Sequence, residues 1–231
     1  MTHLNCVNCQ SLALSVFCTL TCAELQELNE HKNSKMVKKG YTIFKEGEKA
    51  YGLYCVHEGR AKVYRTDIEG NDQIVRLAKE GDILGYRSLL GNEYYQATAK
   101  TLQECTICFI PKEHLYRMLE KNLSLSLKIM EKLSLDIGFA EKRGFDFINK
   151  TAHERLAEGL IQLIKAFGTT KEGYINIALT REDLGKLLGM ATETVIRALK
   201  EWEVEGIISL NKKWIKINLH EQLLNIANVE N

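Results

Sequence analysis

The spacing of apolar residues changes at Pro111, and the two resulting patterns predict different elements. From about residue 38 to 110, apolar and polar residues alternate in short runs separated by turns such as Glu69-Gly70-Asn71. Short strands with a turn about every ten residues predict an antiparallel β-roll or jelly roll. Beyond Pro111 the apolar residues recur at intervals of three and four, which is typical of helices. We therefore predict an α+β fold in which the strands precede the helices.

A heptad repeat marks the first long helix. Steps of three and four place on one line the residues Leu123, Met130, Leu133, Ile137 and Ala140. A repeat that continues in this way is typical of a coiled-coil seam. We interpret the seam as a constitutive dimer contact, because it carries no charge that would separate two helices. The alternative is a helix that packs on its own sheet.

The last third of the chain has the pattern of a winged helix-turn-helix. Thr180-Arg-Glu-Asp183 opens a short helix, Gly189 supplies a turn, and a second helix is expected from about Thr192 to Glu203. Two short helices joined by a turn that contains glycine make a helix-turn-helix. Residues 206–217 are predicted to form the β-hairpin of the wing.

The exposed face of the second helix carries the chemistry that DNA recognition needs. Glu193 can accept a hydrogen bond from the amino group of cytosine, and Arg197 can donate two to guanine. Placed at i and i+4, each can also hold the rotamer of the other. Alone, such a pair would be a surface ion pair worth about 0.3–0.5 kcal/mol, but its place in a helix-turn-helix favours DNA. The predicted DNA-contacting residues are Thr192, Glu193, Ile196, Arg197, Lys200, Lys212 and Lys213.

The charge balance limits the class of DNA binder. Lys and Arg number 31 while Asp and Glu number 30, which excludes a histone-like polycation. Between Lys150 and Asn231, 11 basic and 11 acidic residues cancel, so binding has to use one basic face and its phosphate contribution is expected to be modest. The chain shows no catalytic triad order and no phosphate-binding glycine loop, and we expect no enzyme activity.

Cysteines are concentrated at the N-terminus, where Cys6, Cys9, Cys18 and Cys22 are four of the seven in the chain. No apolar run approaches the ~20 residues that cross a bilayer, and the first residues do not have the pattern of an export signal. We therefore expect a cytoplasmic protein with reduced thiols and no membrane partner. The four N-terminal cysteines suit a tetrahedral zinc site. Free thiols without a metal are the alternative.

Four stretches, in their order and spacing, resemble the Crp/Fnr family of bacterial transcription regulators. They are Gly81-Asp-Ile-Leu-Gly85, Ala152-His-Glu-Arg-Leu-Ala157, Thr180-Arg-Glu-Asp-Leu-Gly185 and Thr192-Glu-Thr-Val-Ile-Arg197. The resemblance extends over about residues 20–219. It implies a homodimer that binds double-stranded DNA at an inverted-repeat operator, with RNA polymerase as a further candidate partner.

The resemblance also implies a division of the chain and roles for individual residues. The expected parts are a Cys-rich segment (1–22), a cyclic-nucleotide-binding-like sensor domain (23–118), a dimerisation helix (119–147) and a winged helix-turn-helix domain (148–231). Glu193 and Arg197 occupy the base-contacting positions of the family. Thr192 and Ile196 depart from the residues found in its main branches.

The resemblance gives two expectations about the signal. Members that bind cyclic AMP have a Glu after the glycine equivalent to Gly85 and an Arg-Ser pair about ten residues later. This chain has Tyr86 and Gln96-Ala97 there, so cyclic AMP is disfavoured. Oxygen-sensing members hold a [4Fe–4S] cluster on four cysteines, and the positions that match here are Cys6, Cys9, Cys18 and Cys108.

One spacing departs from these oxygen sensors. Eight residues separate Cys9 from Cys18, more than in the family, which makes Cys18 the weakest match and Cys22 an alternative. A zinc site, a haem that responds to a small ligand, and a regulator without any metal remain alternatives to the cluster.

Overall fold

The computed structural model describes residues 4–228 and divides into two compact units, Met1–Gly138 and Phe139–Asn231. Residues 1–3 of the predicted Cys-rich segment and residues 229–231 of the predicted DNA-binding domain lie outside the described part. Within residues 4–228, no helix combines the length and the apolar character that crossing a membrane requires.

In the first unit, the described residues form eight strands, and the alternating pattern predicted strands for this part of the chain. They are β1 (Asn33–Val37), β2 (Thr42–Phe44), β3 (Gly52–Glu58), β4 (Ala61–Thr66), β5 (Asp72–Ala78), β6 (Ile83–Leu84), β7 (Thr98–Thr101) and β8 (Cys105–Pro111). They form two four-stranded sheets with the orders β1-β8-β3-β6 and β2-β7-β4-β5. All strand pairs are antiparallel, which confirms the predicted sheet type.

Short helices accompany the sheets. Two 3-10 helices, Leu12–Leu14 and Val16–Thr19, precede α1 (Cys22–His31), and α2 (Tyr86–Leu90) and α3 (Lys112–Lys121) follow later in the chain. The core contains large aliphatic side chains with almost no exposure, among them Leu53, Leu84, Leu89, Ile110 and Leu115. Burial of each such side chain stabilises the fold by about 1.5–3 kcal/mol.

A 27-residue helix, α4, runs from Leu123 to Asn149. It begins later than the predicted residue 119 because the side chain of Asn122 accepts a hydrogen bond from the backbone N–H of Leu125 at 2.9 Å, in the manner of an N-cap. Leu125 and Ile129 are buried in the first unit, so one face of the helix packs on its own domain.

The heptad positions divide between two faces of α4. Leu123, Met130, Ile137 and Ala140 are exposed, as a contact with a second helix would require. Leu133 differs from the prediction, because it packs partly against the core of its own unit. It lies one helical turn from Ile129 on the buried face. Leu127, which the heptad reading passed over, is 54% exposed and lies beside Leu123 and Met130.

The second unit contains the elements of a winged helix-turn-helix, as predicted. After the end of α4 come α5 (Ala152–Phe167), α6 (Arg181–Leu188), α7 (Thr192–Val204), β9 (Ile208–Asn211), β10 (Trp214–Ile217) and α8 (His220–Ala227). Leu156, Leu160 and Leu163 line the buried face of α5. β9 and β10 pair in antiparallel fashion to make the wing.

Candidate functional site

The turn between α6 and α7 is set by two glycines. Gly189 ends α6 in the left-handed conformation at φ +64°, which glycine adopts without the steric cost of a Cβ. A Cβ on Gly185 would lie 2.6 Å from the carbonyl oxygen of Met190, so only glycine allows the chain after the turn to approach α6 so closely. At the other end of α6, Thr180 and Asp183 form a reciprocal capping box.

Helix α7 buries one face and leaves the other open. The buried side chains are Val195, Ala198, Leu199 and Trp202. The exposed ones are Glu193, Ile196, Arg197 and Lys200, while Thr192 is half-buried at the start of the helix. This division is the one that the spacing predicted. It gives a helix that is fixed by its apolar side and presents a polar and charged side outward.

Two of the charged groups on the exposed face, Glu193 and Arg197, are available for a partner. In residues 4–228 no ion pair joins Glu193 to Arg197, so the mutual support that their spacing suggested is absent from this structure. Lys200 forms an ion pair with Glu203 at 3.2 Å. Glu193 and Arg197 can therefore both be directed to base edges, which offer an acceptor pair at guanine and a donor at cytosine.

The wing places two lysines at the tip of its hairpin. Lys212 and Lys213 lie between β9 and β10 and are exposed. The backbone of Lys212 has a positive φ of 53°, an uncommon conformation for a residue with a side chain. Its carbonyl oxygen accepts a hydrogen bond from Nη2 of Arg181 at 3.1 Å, so the first residue of α6 is joined to the wing. The sequence analysis did not single out Arg181, since no local pattern indicates a contact 31 residues away.

A buried carboxylate joins the end of α4 to α5 in the second unit. Glu158 is 6% exposed and accepts hydrogen bonds from Nζ of Lys142 at 2.7 Å and from Nζ of Lys150 at 2.6 Å. Burial alone would raise the pKa of Glu158, but the two ammonium groups outweigh it and hold this pKa below its usual range. The sequence analysis missed this network, because Glu158 lies among the apolar residues of α5 and no separate motif marks it.

The four cysteines predicted as cluster ligands do not all come together. Cys6 and Cys108 are buried, and Cys9 is half-buried with Sγ 3.3 Å from Nδ1 of His57. Cys18 is exposed, as is the alternative ligand Cys22. Cys18 lies near Lys128 of α4, whose pKa is raised mainly by Glu131 and also by the charge of Cys18.

Neither predicted metal set is assembled in the structure. Within residues 4–228, no three Cys, His, Asp or Glu side chains are arranged to hold a metal ion. Three of the predicted thiols nevertheless lie near one another. Burial raises the pKa of Cys6, and the charges of Cys108 and Cys9 raise it further, while Lys32 opposes them. The donor chemistry of Cys6, Cys9 and Cys108 thus fits an iron–sulfur cluster, whereas the position of Cys18 does not.

The segment that would correspond to a cyclic-nucleotide phosphate site is occupied by aromatic side chains. Tyr86 is buried and donates a hydrogen bond to Asp136, while Arg87 beside it is exposed. Tyr95 stacks on Phe44 with ring centroids 4.1 Å apart and donates to the carbonyl oxygen of Gly52 at 2.9 Å. No carboxylate stands at position 86 to accept a hydrogen bond from a ribose hydroxyl.

Each of the two units contains a match to a known protein family. Residues 34–122 match the family described as cyclic nucleotide-binding domain, and residues 154–226 match the family described as Crp-like helix-turn-helix domain. The first match covers β1 to α3, and the second covers most of α5 together with α6, α7 and the wing.

Similar proteins extend over nearly the whole chain. The fumarate and nitrate reduction regulatory protein of Vibrio cholerae serotype O1 is 30% identical over 231 residues, which cover 96% of this chain and 91% of that protein. The protein of the same name from Escherichia coli strain K12 is 29% identical and covers 96% and 90%. The structure of FixK2 from Bradyrhizobium japonicum is similar in fold, with a TM-score of 0.78 at 22% identity over 87% of this chain and 99% of that one.

Proposed function

Because the chain belongs to the Crp/Fnr family of transcription regulators, we propose that it binds an inverted-repeat operator as a homodimer and that its first unit responds to a redox or gaseous signal. Its relatives and its helix-turn-helix make it a DNA-binding transcription regulator and not an enzyme. The form of the operator, the dimer and the signal are our proposals.

The exposed face of α7 is the observation that supports sequence-specific binding. Arg197 projects from the side opposite the buried Val195 and Trp202 and has no ion-pair partner on its own helix. A guanidinium in that position donates two hydrogen bonds to O6 and N7 of guanine. Lys212 and Lys213 on the wing supply contacts to phosphates, which position the helix without selecting a base. We therefore propose a half-site that contains a G·C pair.

The open side of α4 supports the dimer. Leu123, Leu127, Met130 and Ile137 are each more than half exposed and lie on the side away from Leu125 and Ile129. Apolar side chains in a heptad row gain free energy when a second helix covers them. Two copies joined along this row present two α7 helices to a two-fold symmetric operator.

The cysteines and the aromatic filling of the nucleotide segment support a redox or gaseous signal over a cyclic nucleotide. Tyr86 and Tyr95 leave neither a carboxylate nor an Arg-Ser pair where the cyclic phosphate would lie. Cys9 and Cys108 lie close enough to Cys6 for their charges to raise the pKa of the Cys6 thiol. A [4Fe–4S] cluster held by these thiols and a fourth would supply sensitivity to oxygen or nitric oxide.

The test of the proposed function is selection of operators from a randomised DNA duplex pool by the full chain, followed by fluorescence anisotropy on the selected duplex. We expect a palindrome with a G·C pair in each half. Arg197→Ala should weaken binding about tenfold or more, because a bidentate contact is worth about 1–3 kcal/mol.

Arg65→Ala is the matched control, since it removes an exposed guanidinium from the first unit. It should leave the affinity unchanged. If no palindrome is enriched, or if Arg197→Ala binds as tightly as the wild type, the proposed mode of binding is wrong. Metal analysis of protein prepared without oxygen distinguishes a regulator that carries an iron–sulfur cluster from one that carries no metal.

A further inference from the structure

Cys55, a residue of β3, lies directly opposite Cys108 of β8. The two are Cα partners in the antiparallel pair of β3 and β8. Side chains of directly opposed residues point to the same face, with Cβ atoms about 4.5–5.5 Å apart. The strand ladder therefore holds two thiols side by side, one half-buried and one buried.

The N-terminal segment brings two more thiols to the same place. Cys6 and Cys9 are joined by a turn in which the N–H of Cys9 donates to the carbonyl oxygen of Cys6 at 3.2 Å. Sγ of Cys9 is 3.3 Å from Nδ1 of His57, two residues after Cys55 on β3. The backbone N–H of Cys6 donates to the side chain of Asn29 on α1 at 3.3 Å, which anchors the turn.

The charged groups that act on the Cys55 thiol include the same three cysteines. Burial raises the pKa of the Cys55 thiol well above its usual value, and the charges of Cys108, Cys6 and Cys9 raise it further. The charge of Lys32 opposes this rise and lowers the pKa of both Cys55 and Cys6. Its Nζ is 3.3 Å from Oγ of Ser34, which is itself 3.4 Å from Sγ of Cys108. A cation is thus present beside the four thiols.

The remaining cysteines are placed elsewhere. Cys18 and Cys22 are exposed, and Cys18 lies near Lys128 of α4. Cys105 is buried and donates from Sγ to the carbonyl oxygen of Arg60 at 3.2 Å. None of these three is among the thiols that raise the pKa of Cys55.

On this arrangement, and resting on the proposed iron–sulfur function, we propose that Cys55 is the fourth ligand and that the cluster is held by Cys6, Cys9, Cys55 and Cys108. The two strand cysteines form a fixed pair, and the N-terminal turn supplies the second pair. Four thiolates carry negative charge in addition to that of the sulfides, and Lys32 offsets part of it.

The test is reconstitution of the full chain with ferrous iron and sulfide in the absence of oxygen, with iron, acid-labile sulfide and visible absorption as readouts. Cys55→Ser should lose most of the iron, the sulfide and the absorption. Cys18→Ser, Cys22→Ser and the double variant are the matched controls and should keep the wild-type content. Circular dichroism of each metal-free variant checks that it folds.

A second measurement needs no variant. Wild-type protein with and without the cluster is alkylated with iodoacetamide under nitrogen, and each cysteine is scored by mass spectrometry. Cluster loading should protect Cys55 and leave Cys18 reactive.

The outcomes separate the two proposals. If loading protects Cys18 and not Cys55, or if Cys18→Ser loses the metal and Cys55→Ser keeps it, the ligand assignment is overturned while the iron–sulfur sensor stands. If the wild type acquires no iron and sulfide, both fail, and the DNA-binding proposal is still judged by the Arg197 experiment.

Discussion

Arg76 on β5 donates a hydrogen bond from Nη1 to Oδ2 of Asp136 on α4, with 3.3 Å between the two atoms. Tyr86 at the start of α2 donates to the same oxygen, and Nζ of Lys132 is 2.6 Å from the other one. One carboxylate thus connects a strand and a short helix of the first unit to the long helix. A movement of either element changes the hydrogen bonds of Asp136.

The free energy of unfolding should depend on pH through the ionisation of Asp136. Burial alone would raise the pKa of Asp136, but Arg76, Lys132 and Tyr86 hold it below its usual value. A lowered pKa in the folded state means that the stabilisation is fully present above the unfolded pKa and is lost as the pH falls through the folded pKa. Asp136→Asn should therefore be less stable than the wild type at neutral pH, with the difference shrinking below pH about 4.

Thermal unfolding followed by circular dichroism over a pH series measures this difference. Glu120→Gln removes an exposed carboxylate from α3 and serves as the control. A difference between wild type and Asp136→Asn that stays constant from neutral to acidic pH would contradict the role of the ionised carboxylate.

Charge on the open side of α4 should dissociate the dimer that we propose. Ile137 is 60% exposed and lies in the apolar row with Met130. A Glu there would place two carboxylates at the same contact in the dimer, which is unfavourable. Ile137→Glu should sediment as a monomer at concentrations where the wild type is a dimer.

Leu135→Glu makes the same chemical change on the other side of the helix, at a residue that is 53% exposed. It should remain dimeric in the same sedimentation equilibrium experiment. A dimeric Ile137→Glu, or a monomeric wild type, would show that the apolar row is not the contact.

The wing lysines should contribute to affinity without contributing to base preference. Lys213 is exposed at the hairpin tip, where we propose that it neutralises a phosphate. Lys213→Ala should weaken binding to all duplexes alike and lower the slope of log K against log salt by about one for each protomer. Lys171→Ala, an exposed lysine in a turn before α6, is the control. An unchanged slope for Lys213→Ala would remove the wing from the interface.

Loss of the cap at α6 should destabilise the second unit by a modest amount. Oγ1 of Thr180 accepts a hydrogen bond from the backbone N–H of Asp183 at 2.9 Å. Thr180→Ala should lower the free energy of unfolding by about 1 kcal/mol. Thr180→Ser should be nearly as stable as the wild type, because it retains the hydroxyl that caps the helix. Urea denaturation compares the three proteins, and equal stability of the Ala and Ser variants would show that the hydroxyl is not the source.

The parts of the fold with a local cause could be predicted from the sequence. The capping residues Thr180 and Asp183 lie three positions apart, and the buried face of α7 follows from one periodicity. The heptad reading was less reliable at Leu133, because the row that packs on the core, Leu125 and Ile129, also ends there. Leu133 lies four residues after Ile129 on the row that faces the core and three residues after Met130 on the seam, so it fits both rows.

The proposed ligand set could not be predicted in full, because the N-terminal segment has no periodicity that fixes where it lies. The family resemblance pointed to Cys18, although its spacing from Cys9 was the weakest match, whereas Cys55 lies in a strand that resembles ordinary core. Its proximity to Cys108 depends on the register of β3 with β8, 53 residues apart in the chain, and register is not visible in a single strand. Arg181 and Glu158 were missed for the same reason, since their partners are distant or lie in another helix.

The hydrogen bond between Arg181 and the carbonyl oxygen of Lys212 has a consequence for how operators can vary. It braces the hairpin against the first helix of the motif, so the protein itself fixes the distance between the two contacts that we propose, Arg197 to guanine and the hairpin tip to a phosphate. Base substitutions that keep the duplex geometry alter one contact at a time. Because phosphates carry no sequence information, an inserted base pair would change which phosphate the tip meets and leave the spacing between the two contacts as it was.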